Sequence, residues 1–285
     1  MDEEFLTVPE LPAEISEEFD HLEWCFDGAV TVADAGGNGF AALTGNENHY
    51  SLLSDMMGLA GTEASVMDAA KEVAKKLYDN ITAMLKRIST YFFGDAKKSA
   101  EDALEKAEKG IAALGDVEGN TPIPEDSPLR NPENIMKALD GGAEYNEIKE
   151  ENRDLGSAMD KIRAAAEKVK GCDTVAKLRS VLGEVYTASS QGVQSVGTSL
   201  RKCLSETQNA ANKLRTPKVA DEDDTPEVKA GIKEENKEAS DEAKEGTKKA
   251  RIIGGMQNKI IAGLNSISKM ATSVKEKPAP SNFKG

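Results

Sequence analysis

The chain has 285 residues, 39% hydrophobic, 30% charged and only 5% aromatic, with 50 acidic against 36 basic side chains and a formal net charge of −14. Such a surface repels phosphate, which argues against sequence-independent nucleic-acid binding, and no specific nucleic-acid contact is expected. Cys25, Cys172 and Cys203 are scattered and odd in number, so they form neither a disulfide framework nor a zinc site.

The acidic N-terminus lacks the basic flank and apolar core of a secretory signal, and no apolar run approaches the ~18 residues of a membrane span. Ala, Glu and Lys, all helix-friendly, dominate the middle of the chain. The expected fold is mostly α: an elongated helical bundle with coiled-coil-like hairpins and a small loop-rich N-terminal head.

Residues 1–60 hold the only Trp, Trp24, and both histidines, His21 and His49. They read as an acidic leader and a loop-rich head. The acidic first twenty residues are expected to be either disordered or docked as a short helix around 15–22. A short strand or hairpin is expected at 29–33, where β-branched residues cluster before Gly36, Gly37 and Gly39. That glycine cluster, residues 34–40, is the one candidate phosphate loop. It lacks Gly-Lys-Ser/Thr and does not match G-x-G-x-x-G, so a flexible turn is expected. His21 and Cys25 are four apart and would share a helical face, but no orienting group or oxyanion hole accompanies them. They read as head residues rather than a nucleophile pair, and no catalytic, metal or cofactor site is assigned.

Residues 61–116 form an amphipathic helix pair. Thr62 can cap the first helix, and Val66, Ala70, Val73, Leu77, Ile81, Met84, Ile88 and Tyr91 recur at intervals of three and four. Gly94 offers a left-handed stop after Tyr91, Phe92 and Phe93. The second helix carries a mostly Ala face. Four prolines within residues 116–132 make 117–131 the best internal linker or domain boundary.

A helical hairpin is expected over 132–217. Residues 143–169 show an a/d heptad with one polar member, Asn152, which either sets register or is solvated at the seam edge. Asp173 is the expected cap of the next helix. In that helix Gly192 and Gly197 either admit a neighbour closely or mark a break. Residues 218–249, acidic and then Lys/Glu-rich, read as a linker or a solvated helix. Ile252, Met256, Ile260, Leu264, Ile267 and Val274 then define a C-terminal amphipathic helix within 250–285, followed by a disordered tail.

Two basic amphipathic faces are the places to look for partners. One sets Lys75, Lys76, Lys86 and Arg87 beside Tyr91, Phe92 and Phe93; the other holds Ile252, Met256, Ile260 and Leu264. A stripe at helical spacing is more often plain bundle core, which is the favoured reading for the first face, while partner or lipid contact is better supported for the second. Protein partners, self-association or membrane contact would use these faces.

The stretch KLYDNITAMLKRISTYFFGDAKKSAEDALEKAEKGIAAL, residues 76–114, resembles internal head or virion structural proteins of large tailed bacteriophages. In those proteins a basic amphipathic helix ending in aromatics precedes an Ala/Lys/Glu-rich helical region, and the likeness extends in style over roughly residues 62–215. It implies a non-enzymatic virion component, located in the virion, with capsid or other virion proteins as partners. It also implies processing after a Leu/Ile-x-Glu sequence. Ile15-Ser16-Glu17 fits, with Glu17 the residue at the cut, as do the triplets ending at Glu150, Glu184 and Glu234. The competing reading is a cellular helical adaptor or membrane-surface assembly factor, in the cytoplasm.

Overall fold

The computed structural model describes residues 11–38, 54, 66–136, 142–216, 218–220 and 223–276. It is mostly helical, packed as a helical bundle, and contains no sheet among the described residues. Pro122 and Thr174 form an isolated bridge. The helices are α1 (Ala13–Asn38), α2 (Val66–Thr90), α3 (Ala96–Ala113), α4 (Glu133–Met136), α5 (Gly142–Glu151), α6 (Arg153–Glu167), α7 (Val175–Leu214) and α8 (Pro226–Glu276). Contacts divide the chain into two compact units. One holds Phe92–Leu200 and the chain from Ile252; the other holds Pro12–Tyr91 and Arg201–Arg251.

In the second unit the expected loop-rich character of the head is corrected over residues 13–38. Residues 13–38 form one helix, and 29–33, expected as a strand, lie inside it. The reason is the spacing of the buried side chains. Phe19, Leu22, Phe26, Ala29, Val32 and Ala33 follow each other at short helical intervals, and all are at most 3% exposed. Burying a large apolar side chain contributes about 1.5–3 kcal/mol, which outweighs the few tenths by which Val and Thr disfavour a helix. The glycine cluster is likewise helical as far as Asn38. A Cβ on Gly36 would meet Ala70 Cβ at 2.7 Å and Val219 Cγ1 at 2.9 Å, so this glycine admits its neighbours rather than making a turn. Gly39, Phe40, His49 and Thr62 lie outside the described residues.

The α2 stripe packs as expected: Ala70, Val73, Leu77, Ile81, Met84 and Ile88 are buried. Its end differs. Gly94 does not close the helix but sits in a π turn, Tyr91–Asp95, after which α3 follows directly. The Lys/Glu segment, left open between linker and solvated helix, is the first half of α8. Its seam is made of small residues: Asn236, Ala239, Ser240, Ala243, Thr247 and Ala250 are all buried. Asn236 ties the seam to the preceding segment, accepting from Lys218 N (3.2 Å) and donating to Lys218 O (2.7 Å).

In the first unit the Pro-rich stretch is docked on the start of α7. Ile123 N donates to Asp173 O (2.8 Å), Val175 N to Thr121 O (3.1 Å) and Ala176 N to Gly119 O (3.0 Å). Ile123 is buried, so this stretch belongs to the unit instead of bounding it. The cap of α7 is Thr174, whose hydroxyl accepts from Lys177 N (3.4 Å), whereas Asp173 pairs with Lys177 Nζ (2.8 Å).

Asn152 settles neither way that the heptad suggested. The helix breaks there, and Asn152 caps α6: its Oδ1 accepts from Leu155 N (3.3 Å) and its Nδ2 donates to Ser199 Oγ (2.7 Å). Asn152→Ala should therefore cost about 1–2 kcal/mol in urea denaturation, a helix cap plus a side-chain bond. A loss below 0.3 kcal/mol (roughly the error of such a measurement) would show that the cap is not used.

Neither glycine of the α7 centre marks a break. A Cβ on Gly192 would approach Ile162 Cδ1 at 3.0 Å and Ile260 Cδ1 at 3.1 Å, whereas one on Gly197 or Gly183 would meet nothing within 4 Å. Replacing either of the latter by Ala should stabilise the chain by roughly 0.5–1 kcal/mol, the helix-propensity gain with no packing cost. Denaturant midpoints of G183A and G197A check this.

Candidate interaction site

The two faces singled out in the sequence are placed differently from one another. On α2, Lys75, Lys76 and Lys86 are exposed, and Lys76 reaches Glu72 at 3.6 Å. Arg87 grips Glu18 with both ends of its fork, Nε to Oε1 at 2.6 Å and Nη2 to Oε2 at 2.8 Å. Tyr91 and Phe93 are half-buried, and Phe92 is 1% exposed. On α8, Ile252 is half-buried, while Met256, Ile260 and Leu264 are at most 2% exposed. The apolar members of both stripes are thus mostly core, and the basic residues of α2 stand on the surface. The terminal amphipathic helix continues from the Lys/Glu segment without a break.

A different arrangement comes out of the fold. Helix α1 carries seven carboxylates, Glu14, Glu17, Glu18, Asp20, Glu23, Asp27 and Asp34, and no Lys or Arg. Helix formation puts its apolar side chains on one face and these acids along the flanks. Asp20, Asp27 and Asp34 are seven residues apart, about two turns, so they form one row. Opposite them α8 presents Arg251, Lys244 and Lys233, spaced by about two and three turns.

The pairing runs in reverse order. Arg251 Nη1 binds Asp20 Oδ1 at 2.6 Å, Lys244 binds Asp27, and Lys233 Nζ binds Asp34 Oδ2 at 2.7 Å. Arg251 also donates through Nη2 to Ser16 Oγ at 2.5 Å. The two segments are therefore antiparallel and joined by three charged rungs, with the Arg87–Glu18 fork as a fourth on the α2 side. Exposed pairs of this kind are worth about 0.2–1 kcal/mol each; a bidentate Arg pair, or a carboxylate as sheltered as Asp34 (17% exposed), lies toward the upper end.

The ladder was not among the residues read as sites, although the signal is present in the sequence. Residues 1–70 contain 15 Asp and Glu and no Lys or Arg, so this quarter of the chain carries a charge as large as the whole net −14, and the remainder is close to neutral. Composition taken over the whole length hides this segregation.

Cys25 is fully buried on α1, and burial pushes its thiol up to about 12. His21 is exposed and stacks edge-on against Trp24, ring centroids 5.5 Å apart. The two residues are on one helix, but a thiol so far above neutrality supplies almost no thiolate for nucleophilic chemistry. Glu17 is exposed in the second turn of α1, with Ile15 and Ser16 half-buried before it. A protease would have to unwind that turn to reach the bond after Glu17.

Among the described residues no group of three His, Cys, Asp or Glu is placed to hold a metal ion, and no helix is long and apolar enough to cross a membrane. Compared with known proteins, the chain matches no family model, no curated protein and no solved structure.

Proposed function

We propose that this chain is a non-enzymatic structural or assembly protein of a bacteriophage virion, an internal head or capsid-associated component that works through helix packing. The observation that carries the reading is how the amphipathic stripes are used. Nearly all of their large apolar side chains are packed inward, while the polar faces carry charged residues of both signs. Such a body offers charged helix surfaces to its surroundings and keeps its three cysteines buried. The resemblance of residues 76–114 to phage head proteins supplies the virion part. The order it rests on, a basic helix ending in aromatics and then an Ala-faced helix, corresponds to α2, the π turn and α3.

The adaptor or membrane-surface reading has less support, because Phe92, Met256, Ile260 and Leu264 would have to leave the core to reach a partner or lipid. The virion proposal is tested by mass spectrometry of purified particles from the source phage. The chain is expected as a particle constituent, and its consistent absence would overturn the proposal. The same spectra report whether the mature N-terminus begins after Glu17.

A further inference from the structure

Helix α1 is bound to its surroundings in the second unit by features that do not require it to belong to the same molecule. Its apolar face is buried, its flank is purely anionic, and the row it meets on α8 is cationic at Lys233, Lys244 and Arg251. Those partners lie about 200 residues away or more, with Arg251 and Asp20 separated by 231. Between Asn38 and Val66 the chain has 27 residues, enough to span up to roughly 90 Å if drawn out.

We propose that the α2–α8 surface of this unit is a receptor for an acidic amphipathic helix, and that α1 of a second copy of this chain can fill it. In the isolated molecule α1 occupies its own receptor; in an assembly two copies exchange α1 helices. The chemistry specifies the occupant. An antiparallel helix with carboxylates at seven-residue spacing and an apolar stripe between them fits the three cations, and α1 is such a helix. Exchange replaces every contact by an identical one, so its cost is confined to the connection. A tethered helix competes at an effective concentration of the order of millimolar, so exchange is favoured where copies are crowded. The inference does not depend on the virion reading, and a particle proteome would leave it untouched.

The ion pairs themselves provide the test. Equal amounts of unlabelled and nitrogen-15-labelled full-length chain are refolded together, at dilute and at near-millimolar concentration, then treated with a carbodiimide that joins touching amines and carboxylates. The Asp27–Lys244 and Asp34–Lys233 peptides are read by mass spectrometry. Same-isotope products are expected in the dilute sample. In the concentrated one, mixed-isotope products should rise toward roughly half, the statistical limit for exchanged pairs. Same-isotope products alone at both concentrations would overturn the proposal.

A charge-swapped pair gives a second route. One chain carries D20K, D27K and D34K; the other carries K233E, K244E and R251E. Each alone places like charges against each other, whereas the mixture satisfies both receptors by exchange. Sedimentation should show a one-to-one dimer only on mixing; two monomers, or no recovery of helical signal on mixing, would count against it.

Discussion

Gly254→Ala should lower the stability of the chain by about 2 kcal/mol, although Ala is the better helix former by roughly 1 kcal/mol. A Cβ at this position would sit 2.2 Å from Phe92 Cζ and 2.5 Å from Cε1, well inside van der Waals contact. Phe92 is 1% exposed, so its ring has no open space to move into. Truncating the ring alone, Phe92→Ala, should cost about 3–5 kcal/mol through lost burial and the cavity left behind. The decisive result is the double variant. Once the ring is gone the added methyl has room, and Gly254→Ala should become stabilising by up to about 1 kcal/mol. The coupling is therefore about 3 kcal/mol, at the top of the range for residues in contact. Additive urea-denaturation energies would mean that the ring does not occupy the space opened by the glycine.

Cys25 provides the other large effect, and it appears at alkaline pH. Its thiol is raised by burial from an ordinary 9.0 to about 12. Below pH 9 this is about a thousandfold deficit of thiolate relative to the unfolded chain, so a disulfide-exchange reagent should label Cys25 only after unfolding. The stability consequence has a definite sign. Because the folded form holds its proton more tightly, the associated stability is fully present below pH 9. It is lost at about 1.4 kcal/mol per pH unit as the pH rises toward 12. Between pH 8.5 and 10.5 the wild type should therefore lose about 2 kcal/mol more than Cys25→Ala, a comparison in which Lys and Tyr titrations cancel. Equal losses in the two proteins would place Cys25 in contact with water.

What the sequence made legible depended on the size of the side chains at each seam. The α2 stripe could be read because Val73, Leu77, Ile81, Met84 and Ile88 are large, apolar and helically spaced, and all are buried. The seam in the first half of α8 has the same geometry but is built from Asn236, Ala239, Ser240, Ala243 and Thr247, which hydropathy does not register as a core. Close approach stands in for volume there: a Cβ on Gly246 would lie 2.4 Å from Thr207 Oγ1.

Residues 29–33 misled for the opposite reason. Their β-branched character is a local preference, whereas the stripe from Phe19 to Ala33 is a tertiary one and prevails. Asn152 was visible as the odd member of a heptad, but whether a polar residue sets register, faces water or stops the helix is decided by its neighbour, here Ser199 on another helix. The candidate site was the least legible part. Each carboxylate of α1 is unremarkable alone, and only the fold brings Asp20, Asp27 and Asp34 opposite cations more than 190 positions further along.

That separation also orders events at the ribosome. Helix α1 emerges early, yet Lys233, Lys244 and Arg251 are made some 200 residues later. At roughly 5–20 residues per second, translation leaves α1 without the cationic row of α8 for about ten to forty seconds. During that interval Phe19, Leu22 and Phe26 have α2 against them but not yet α8. Apart from Glu18, which Arg87 can meet early, the carboxylates of residues 1–70 then act as a solubilising charge on the nascent chain, repelling neighbouring copies on the same message.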